Sequence, residues 1–569
     1  MRRKRWLAAI LAAGTACTAL FGCGSRQIVG TEMARSGESP EKELQAWEEA
    51  KNTPYGKYPE LITYTLGKMT GGNRSNMPER DTYEDNVYTR YLRECLNIQN
   101  KDVFEAMEDQ YTANVDMVIA SGELPDVMVI EDRETLIRLA EGGMIADLSE
   151  ALENCASDGI KAMYDSYEVS ALDSAMIDGR LMALPEPSFV DGPNLLWLRR
   201  DWMDKLGLEA PDTMEEAVEI IRAFVEQDPG NNGEGNTIGL VCHSDLTGET
   251  GYRYEFQLNT FFASYSAFPK QWILQEDGTV VYGSVQPQVK EALAGVRKLY
   301  EEKLLDDSFM LRTMTNIAEL IVDGKCGSFF GPWWAPNNPL MEAMEKNPDA
   351  VWEPYLIRTT EDGKLQYYDQ NPSYKYVVVR KDFEHPEIVF KMASVMFDKM
   401  RTEEHNEELA YYFQTNVDST ARPISINIDY SDALHRCYED INAALTGETD
   451  PDELQVLEYA YYVKCKDYLD HSQSADAEAW AAYESRIRAC ALLDNKDLEV
   501  CSTVFSGETE TMKTKWSKLQ EMEKKLYLEI ITGVKELDEF DRFVEEWMEA
   551  GGEQITLEVT EAVREAKGA

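Results

Sequence analysis

Apolar and polar residues alternate with two different periods along the first two thirds of this chain. Short apolar runs predict buried strands, whereas longer stretches with an apolar residue every three or four positions predict helices. Thr213 and Glu216 have the spacing of a capping box, which predicts the start of a helix. Beyond His385 the pattern is mainly helical. We expect strands at residues 60–66, 125–130, 194–198, 326–330 and 376–380, and helices at 86–97, 134–141, 202–206 and 213–226. This order predicts an α/β fold with a helix-rich C-terminal region.

The length and charge of the chain restrict the kinds of protein it can be. Its 569 residues exceed one ordinary hydrophobic core, so at least two lobes are expected. Hydrophobic residues make up 43% and charged residues 28%, as in soluble globular proteins. The formal net charge is -48, to which residues 2–5 contribute +4, so the rest of the chain carries -52. Such a surface repels nucleic acid, which is therefore not expected as a partner.

The first 23 residues have the order of a bacterial lipoprotein signal. Basic residues at 2–5 precede an apolar stretch, Trp6–Leu20, that is too short to span a membrane. Leu20-Phe-Gly-Cys23 follows and resembles a lipobox, in which the cysteine thiol carries a diacylglycerol. The alternative is an ordinary signal peptide with a cysteine there by chance. The resemblance implies a signal peptide at 1–22, lipid on Cys23, a lipid-anchored linker at 23–57 and a location on the extracytoplasmic face of a Gram-positive cell membrane.

Zinc-binding spacings and the common catalytic motifs are missing from the sequence. Eight cysteines follow Cys23, none in a CxxC or zinc-binding spacing, and both disulfides and buried thiols stay open. There is no phosphate-binding loop and no GxSxG or HExxH motif, and the five histidines are scattered. Because 104 residues are acidic, a pair of carboxylates by itself indicates nothing. We therefore expect a protein that is not an enzyme.

Several segments in a fixed order resemble one protein family. They are Ser121–Asp126, Gly142–Leu148, Leu196–Leu208, Gly331–Pro336 and Gly551–Ile555. Taken together they are similar to extracellular solute-binding proteins of family 1, and the C-terminal segments are similar to its long lipoprotein subgroup. No single segment is specific, but the ordered set is, and the similarity runs from about residue 58 to the C-terminus.

This resemblance implies a two-lobe fold like that of type II periplasmic binding proteins, with the ligand between the lobes. Lobe 1 is expected at residues 58–190 plus about 377–430, and lobe 2 at 191–376 plus about 431–569. The crossing segments are expected near Asp191–Leu195 and Tyr374–Val377. The family also implies a monomer that captures a carbohydrate, here an oligosaccharide, and delivers it to the permease subunits of an ABC importer. The alternatives are a surface glycoside hydrolase or lyase, and a lipoprotein that reports a ligand to a membrane kinase.

Aromatic rings are the first candidates for ligand contact, because they stack on the apolar face of a pyranose. The chain has 11 Trp and 29 Tyr, a generous supply. By the family resemblance, Trp333 aligns with a tryptophan that stacks on sugar, and Trp334 and Trp272 are further candidates. For each of them, packing in a core is the alternative.

Polar side chains near the predicted strand ends are the second group of candidates, because they can take the hydroxyl groups of a sugar. Asp126, Arg199 and Arg422 are the residues in question. A cap on the following turn is the alternative for Asp126. An ion pair with Asp201 is the alternative for Arg199, and we favour it.

The segment Asp228–Thr237 resembles a loop that holds calcium in alginate-binding relatives. In such loops oxygen atoms at alternate positions surround a hard cation. Asp228, Asn232, Glu234 and Asn236 supply candidate oxygen ligands, but Gly230 occupies the third position and has none. The protein is expected to require no cofactor, and the sequence leaves open a structural calcium ion or a metal-free turn.

Overall fold

The computed structural model describes residues 40–167, 170–188, 192–248, 255–275, 277–359, 365–368, 373, 375–402, 406–471, 476–495, 498–501, 503–505 and 507–568. Residues 46–569 form one compact unit, and residues 1–45 form another, of which the start of one helix is described. Cys23, the signal peptide, Asp191 and Tyr374 lie outside the described residues. In the part of the chain that is described, we find no helix with the length and apolarity needed to cross a membrane.

Helices and strands alternate up to about residue 380, and helices dominate after it. The strands are β1 Ile62–Met69, β2 Ile98–Ala106, β3 Val127–Ile130, β4 Met176–Ile177, β5 Arg180–Leu181, β6 Leu184–Pro185, β7 Leu195–Arg199, β8 Ile238–Val241, β9 Trp272–Leu274, β10 Val280–Tyr282, β11 Cys326–Gly331, β12 Trp352–Tyr355, β13 Leu365–Tyr368, β14 Tyr376–Val379 and β15 Leu498–Cys501.

The helices are α1 Pro40–Lys51, α2 Val87–Leu96, α3 Glu108–Ser121, α4 Arg133–Glu141, α5 Ser149–Cys155, α6 Asp158–Asp165, α7 Ala171–Ser174, α8 Arg200–Leu206, α9 Met214–Gln227, α10 Asn259–Ala263, α11 Pro287–Glu301, α12 Met314–Val322, α13 Met341–Lys346, α14 Ile388–Ala393, α15 Met400–Thr402, α16 Glu407–Gln414, α17 Ala433–Thr446, α18 Val456–His471, α19 Ala477–Tyr483, α20 Cys490–Leu493, α21 Met512–Ile531, α22 Glu539–Trp547 and α23 Glu553–Gly568. A π-helical turn, Glu484–Ala489, joins α19 to α20.

Local sequence signals account for several of these boundaries. The Asn86 side chain accepts hydrogen bonds from the backbone N–H groups of Tyr88 and Thr89 and so begins α2. Thr213 and Glu216 form the predicted capping box at the start of α9. The five strands expected from the apolar runs are present as β1, β3, β7, β11 and β14.

The first sheet has the strand order β2-β1-β3-β14-β6. β1 pairs in parallel with β2 and with β3, whereas β14 is antiparallel to its neighbours β3 and β6. All residues of β3 and β14 are buried, as expected when helices cover both faces of a sheet. The core around this sheet draws on residues 50–184 and 376–482.

The second sheet has the order β12-β7-β11-β8. β8, β11 and β12 run in one direction and β7 runs against them. Because side chains alternate along a strand, Leu196 and Leu198 of β7 pack into one core while Leu195 and Trp197 pack into another. The first of these two cores includes α9, α11 and α21, and the second includes α12 and part of α19.

The chain crosses between the two sheets in segments 186–194 and 356–375. It leaves the first sheet from the carboxyl end of β6 and the second sheet from the carboxyl end of β12. Each of these two strands has the same direction as the parallel strands of its sheet. The chain then enters the other sheet as its antiparallel strand, β7 or β14. The parallel strands of both sheets therefore end at the edge from which the crossing segments depart. We name this the crossing edge and the opposite one the far edge.

Residues 46–57 belong to the folded unit, although the sequence predicted a linker through residue 57. Ala50, in α1, is fully buried in the first core. Lys391 donates a hydrogen bond of 2.6 Å to the carbonyl of Thr53, and Tyr55 donates one of 2.7 Å to Asp398. Residues 46–51 of α1 and the turn after them thus pack on the first core, beside α14 and the π-helical segment Ser394–Lys399 that follows it.

Helices α17 and α18 pack mainly on the first core, although the sequence assigned residues after 430 to the second lobe. Cys437, Ile441, Tyr461 and Cys465 are buried among residues of the first core. Trp480 packs instead with strands β7 and β11 of the second sheet. The segment 433–493 therefore contacts both sheets, and a boundary near residue 430 does not describe its packing.

Candidate ligand-binding site

Trp333 lies at the crossing edge of the second sheet, two residues after β11. The Trp197 indole donates hydrogen bonds of 3.3 and 3.2 Å to the carbonyl oxygens of Gly331 and Pro332, which fixes the segment leading to Trp333. The Trp333 side chain is only 6% exposed, and its Nε1 has no acceptor among the described residues. Trp334 is half-buried against the same core. The predicted strand therefore delivers both tryptophans to the expected edge, but with Trp333 largely enclosed by protein.

Arg486 covers one face of Trp333. Its guanidinium carbon lies 4.5 Å from the Trp333 ring centroid and 4.2 Å from that of Tyr461 on α18, so it is held between two rings. The residue belongs to the π-helical turn, a feature frequent at functional sites. None of the described carboxylates forms an ion pair with it. Sequence reasoning missed Arg486, because it lies far along the chain from Trp333 and no motif marks it.

Glu186 and Lys375 link the two crossing segments. The backbone N–H of Glu186 donates to the Lys375 carbonyl at 2.8 Å. Lys375 Nζ lies 3.8 Å from Glu186 Oε2, and Glu186 Oε1 accepts a hydrogen bond of 2.7 Å from the backbone N–H of Asn427. Both charged side chains are buried. This pair ties the two crossing segments together.

Glu255 is a buried carboxyl group at the crossing edge of the second sheet. The next residue, Phe256, donates its backbone N–H to Phe330 at the end of β11 and accepts a hydrogen bond from His243 beyond the end of β8. Glu255 Oε1 has no hydrogen-bond partner in the described part of the chain, and burial raises the pKa of this carboxyl well above its usual range. A protonated carboxyl can donate a hydrogen bond as well as accept one.

Arg422 lies near the end of β1, at the crossing edge of the first sheet. Lys68 donates a hydrogen bond of 2.7 Å from Nζ to the Arg422 carbonyl. The Arg422 guanidinium donates to the Ile426 carbonyl at 3.1 Å and lies 5.0 Å from the Phe397 ring centroid. Its side chain is buried within its own lobe. Arg422 thus stabilises the segment 422–427.

Asp126 lies at the far edge, although the sequence made it a candidate to line the ligand cleft. It precedes β3, so it stands at the end of that strand opposite to the crossing segments. Its carboxylate accepts hydrogen bonds of 2.8 and 2.7 Å from Thr65 N and Oγ1 and pairs with Arg380. Burial raises the pKa of the Asp126 carboxyl, but these bonds outweigh it and hold the pKa below its usual range. The residue joins three strands of the first sheet.

Arg199 also lies at the far edge, because β7 runs away from the crossing segments and ends at this residue. Its Nε and Nη2 each donate a hydrogen bond of 2.8 Å to Asp201. The guanidinium carbon lies 4.6 Å from the Trp202 ring centroid. The ion pair with Asp201 that the sequence favoured is confirmed.

Trp272 lies in β9 and packs in the second core, where it is 4% exposed. It stacks on Trp516 at 5.9 Å and contacts Tyr282 at 4.9 Å between ring centroids. Tyr282 in turn stacks on Trp547. Trp272 is therefore a core residue, which was the alternative to ligand contact.

The calcium-like loop Asp228–Thr237 connects α9 to β8 at the far edge. The Asp228 carboxylate accepts hydrogen bonds from the backbone N–H groups of Asn232 and Gly233, both at 2.9 Å, and from the Thr237 hydroxyl at 2.5 Å. The Thr237 hydroxyl is the main cause that lowers the pKa of Asp228. In the described residues, no three His, Cys, Asp or Glu side chains come together as a metal site would require.

The loop does not fit a calcium ion well. Lys325 Nζ lies 3.1 Å from Asn232 Oδ1, so an ammonium group already engages an oxygen that would be a ligand. A Cβ on Gly230 would lie 2.5 Å from Trp202 Cζ2, which leaves no room for a side-chain ligand at the third position. Glu234 and Asn236 are exposed.

Comparisons with known proteins place this arrangement among solute-binding proteins. The chain is 22% identical over 456 residues to the polygalacturonan/rhamnogalacturonan-binding protein YtcQ of Bacillus subtilis (strain 168), covering 79% of this chain and 82% of that protein. A structure of FusA, an ABC-transporter substrate-binding protein of S. pneumoniae, as an EF-hand mutant with fructo-nystose, matches with a TM-score of 0.59 and 14% identity, over 89% of this chain and 99% of that one.

The alginate-binding protein AlgQ2, solved without calcium ion, has the same fold. It matches with a TM-score of 0.56 and 15% identity, over 90% of this chain and 99% of that one. The model of the family described as bacterial extracellular solute-binding protein matches residues 75–399, which include parts of both sheets and both crossing segments. The two-lobe α/β fold predicted from the sequence is thus confirmed, and the chain belongs to the bacterial extracellular solute-binding protein family.

Proposed function

We propose that this protein captures an oligosaccharide outside the cell and delivers it to the permease of an ABC importer. The observation that carries the proposal is the pair of crossing edges. At these edges the parallel strands of both sheets end, and the segments that connect the two sheets begin there. Open α/β sheets bind their ligands beyond the carboxyl ends of their strands. Membership in the solute-binding protein family supports a role in binding a ligand rather than in catalysing a reaction.

A carbohydrate is the class of ligand that the surroundings favour. YtcQ is named for binding polygalacturonan and rhamnogalacturonan, and FusA was solved with fructo-nystose. In this chain, Trp333 and Trp334 bring aromatic rings to the crossing edge of the second sheet, and Arg486 lies between Trp333 and the Tyr461 ring. Aromatic rings and a few polar groups are the usual means of holding a sugar.

Binding and release follow from the two crossing segments. A ligand that contacts both crossing edges stabilises the arrangement in which the lobes approach each other, and the permease distinguishes that arrangement from the unliganded one. The buried Glu186–Lys375 pair keeps the two crossing segments together while the lobes rotate. The side chains at the site only bind and orient the ligand, so the protein is not an enzyme and requires no cofactor.

The remaining parts of the proposal concern location and assembly. The basic and apolar N-terminal residues and Cys23 support a lipid-anchored monomer on the extracytoplasmic face of the membrane. The formal net charge of -48 argues against nucleic acid as a partner.

Calorimetric titration with a panel of neutral and uronic-acid oligosaccharides tests this function. We expect saturable binding by at least one member of the panel and recovery of that ligand intact after prolonged incubation. Uronic acids are included because Arg486 has no carboxylate partner among the described residues. Cleaved products would support the glycoside hydrolase or lyase alternative. Binding by amino acids or peptides and by no oligosaccharide would contradict the ligand class.

A further inference from the structure

We propose that the ammonium group of Lys325 holds the loop Asp228–Thr237 closed in the place of a calcium ion, so that the loop folds without metal. This inference does not depend on the proposed function. It rests on the contacts of Lys325, on the hydrogen bonds inside the loop and on the space around Gly230.

Lys325 reaches the loop from the start of the neighbouring strand. It directly precedes β11, and its Nζ contacts Asn232 Oδ1 at 3.1 Å. The ammonium group of Lys325 therefore engages an amide oxygen of the loop that a bound cation would otherwise take as a ligand.

Further hydrogen bonds engage the amide side chains of the loop. The Asn232 amide group donates to the Gly324 carbonyl at 3.0 Å and to the Thr237 hydroxyl at 3.2 Å. The Asn236 amide group donates to the Asn232 carbonyl at 3.2 Å. Because donors of the chain already engage these oxygens, a metal ion would have to displace them before it could bind.

The third position of the loop is closed to a ligand by packing. Gly230 lies against the indole of Trp202, and a Cβ there would approach Cζ2 to 2.5 Å. Trp202 itself is fixed by Phe224 in an edge contact at 5.3 Å and by Arg199. A carboxylate at position 230 would therefore require the core to move, so the lost ligand cannot be restored by a single substitution.

The same lysine joins the loop to the second sheet. The backbone carbonyl of Lys325 accepts a hydrogen bond of 2.9 Å from the N–H of Ile238, at the start of β8. Lys325 thus connects the loop to both β8 and β11, whose other ends form the crossing edge. Loss of its charge is expected to loosen the loop first and the start of these two strands next.

The test compares melting temperatures of the full chain in millimolar calcium and in EDTA. For the wild-type protein we expect the same melting temperature in both, no heat on titration with calcium chloride and no stoichiometric calcium after purification. For Lys325→Met we expect a melting temperature lower by roughly 2–4 °C in both solutions. Lys298→Met removes an exposed lysine of α11 and serves as the matched control, with no expected change.

Two results would overturn the proposal. One is a wild-type melting temperature that rises with calcium over a saturable range, which would mean that the metal closes the loop. The other is a Lys325→Met variant that melts like the wild type, which would mean that the ammonium group does not support the loop. Because neither measurement uses a sugar, failure here leaves the proposed function untouched, and failure of sugar binding leaves this proposal untouched.

Discussion

Trp333 is both a candidate ligand contact and a buried core residue. It stands at the end of β11, where a ligand is expected, yet it is enclosed by its own core and by Arg486. Enclosure means that truncation removes packing contacts in the protein itself. We expect Trp333→Ala to lower the free energy of unfolding by roughly 3–5 kcal/mol, the usual cost of deleting a buried indole. Chemical denaturation monitored by circular dichroism measures this change.

Trp334→Ala is the matched comparison for that variant, because the neighbouring side chain is only half-buried. It is expected to cost less stability than Trp333→Ala. If Trp333→Ala weakens oligosaccharide binding while its unfolding free energy stays at the wild-type value, the indole contacts ligand and the packing described here is not what it contributes.

Lys68 makes stability depend on pH. Its side chain is fully buried, and burial lowers its pKa to about 7, while an unfolded lysine has a pKa of about 10.4. Between these values the unfolded chain binds a proton that the folded chain does not, so the free energy of unfolding rises with pH, by at most about 1.4 kcal/mol per pH unit. Burial raises the pKa of the Asp102 carboxyl to about 6, so this group titrates below the pH range in which Lys68 changes stability.

The measurement is denaturation of the wild type and of Lys68→Met at pH 7, 8 and 9. The wild type is expected to gain stability relative to the variant as the pH rises. Lys298→Met, which removes an exposed lysine, should keep the wild-type slope. Parallel slopes for the wild type and Lys68→Met would show that Lys68 is charged in the folded protein throughout this range.

At the scale of elements, what the sequence predicted well was local. Apolar runs located β1, β3, β7, β11 and β14, and the Thr213–Glu216 pair marked the start of α9, because both signals are contained in a few neighbouring residues. The direction of a strand within its sheet depends on pairing with distant segments. The sequence therefore could not show that Asp126 and Arg199 lie at the far edge.

The candidate site shows the same limit. Trp333 was predicted from the segment around it, whereas Arg486 reaches it from a helix whose packing no local pattern encodes. Glu186 and Lys375 meet only because the two crossing segments run side by side. Contacts of this kind become visible only when the chain is folded.

The N-terminal segment 46–58 is an element whose contribution can be measured by truncation. Tyr58 is buried, donates a hydrogen bond of 2.6 Å to Glu387 and, like Trp47, contacts the His385 ring. A chain that begins at residue 59 is expected to lose about 4 kcal/mol of stability relative to one that begins at residue 40, because the burial of two or three large side chains is lost. Equal melting temperatures for the two chains would mean that the segment is a linker, as the sequence first suggested.

At the scale of the whole molecule, the two larger sheets are joined by the two crossing segments with their buried Glu186–Lys375 pair, and the chain passes again from the first core to the second between residues 482 and 512. The segment 433–493 adds contacts to both sheets, with Arg486 between a ring on the second sheet and one on α18. Any rotation of one sheet against the other must therefore carry or rearrange these helices. A movement of one sheet relative to the other is therefore expected to change the contacts of the site, of the crossing segments and of the helices in segment 433–493 together.

The charge of the whole molecule decides how strongly it needs a lipid anchor. Without residues 2–5 the chain has a formal net charge of -52, so an anionic membrane surface repels it. A diacylglycerol on Cys23 would overcome this repulsion, because each buried methylene contributes about 0.8 kcal/mol and two chains give stable anchoring. We expect Cys23→Ala to move the protein from the membrane to the soluble or secreted fraction, measured by cell fractionation and immunoblotting. Ser25→Ala, two residues further on, should stay with the membrane. A Cys23→Ala protein that remains wholly membrane-bound would show that the anchor lies elsewhere.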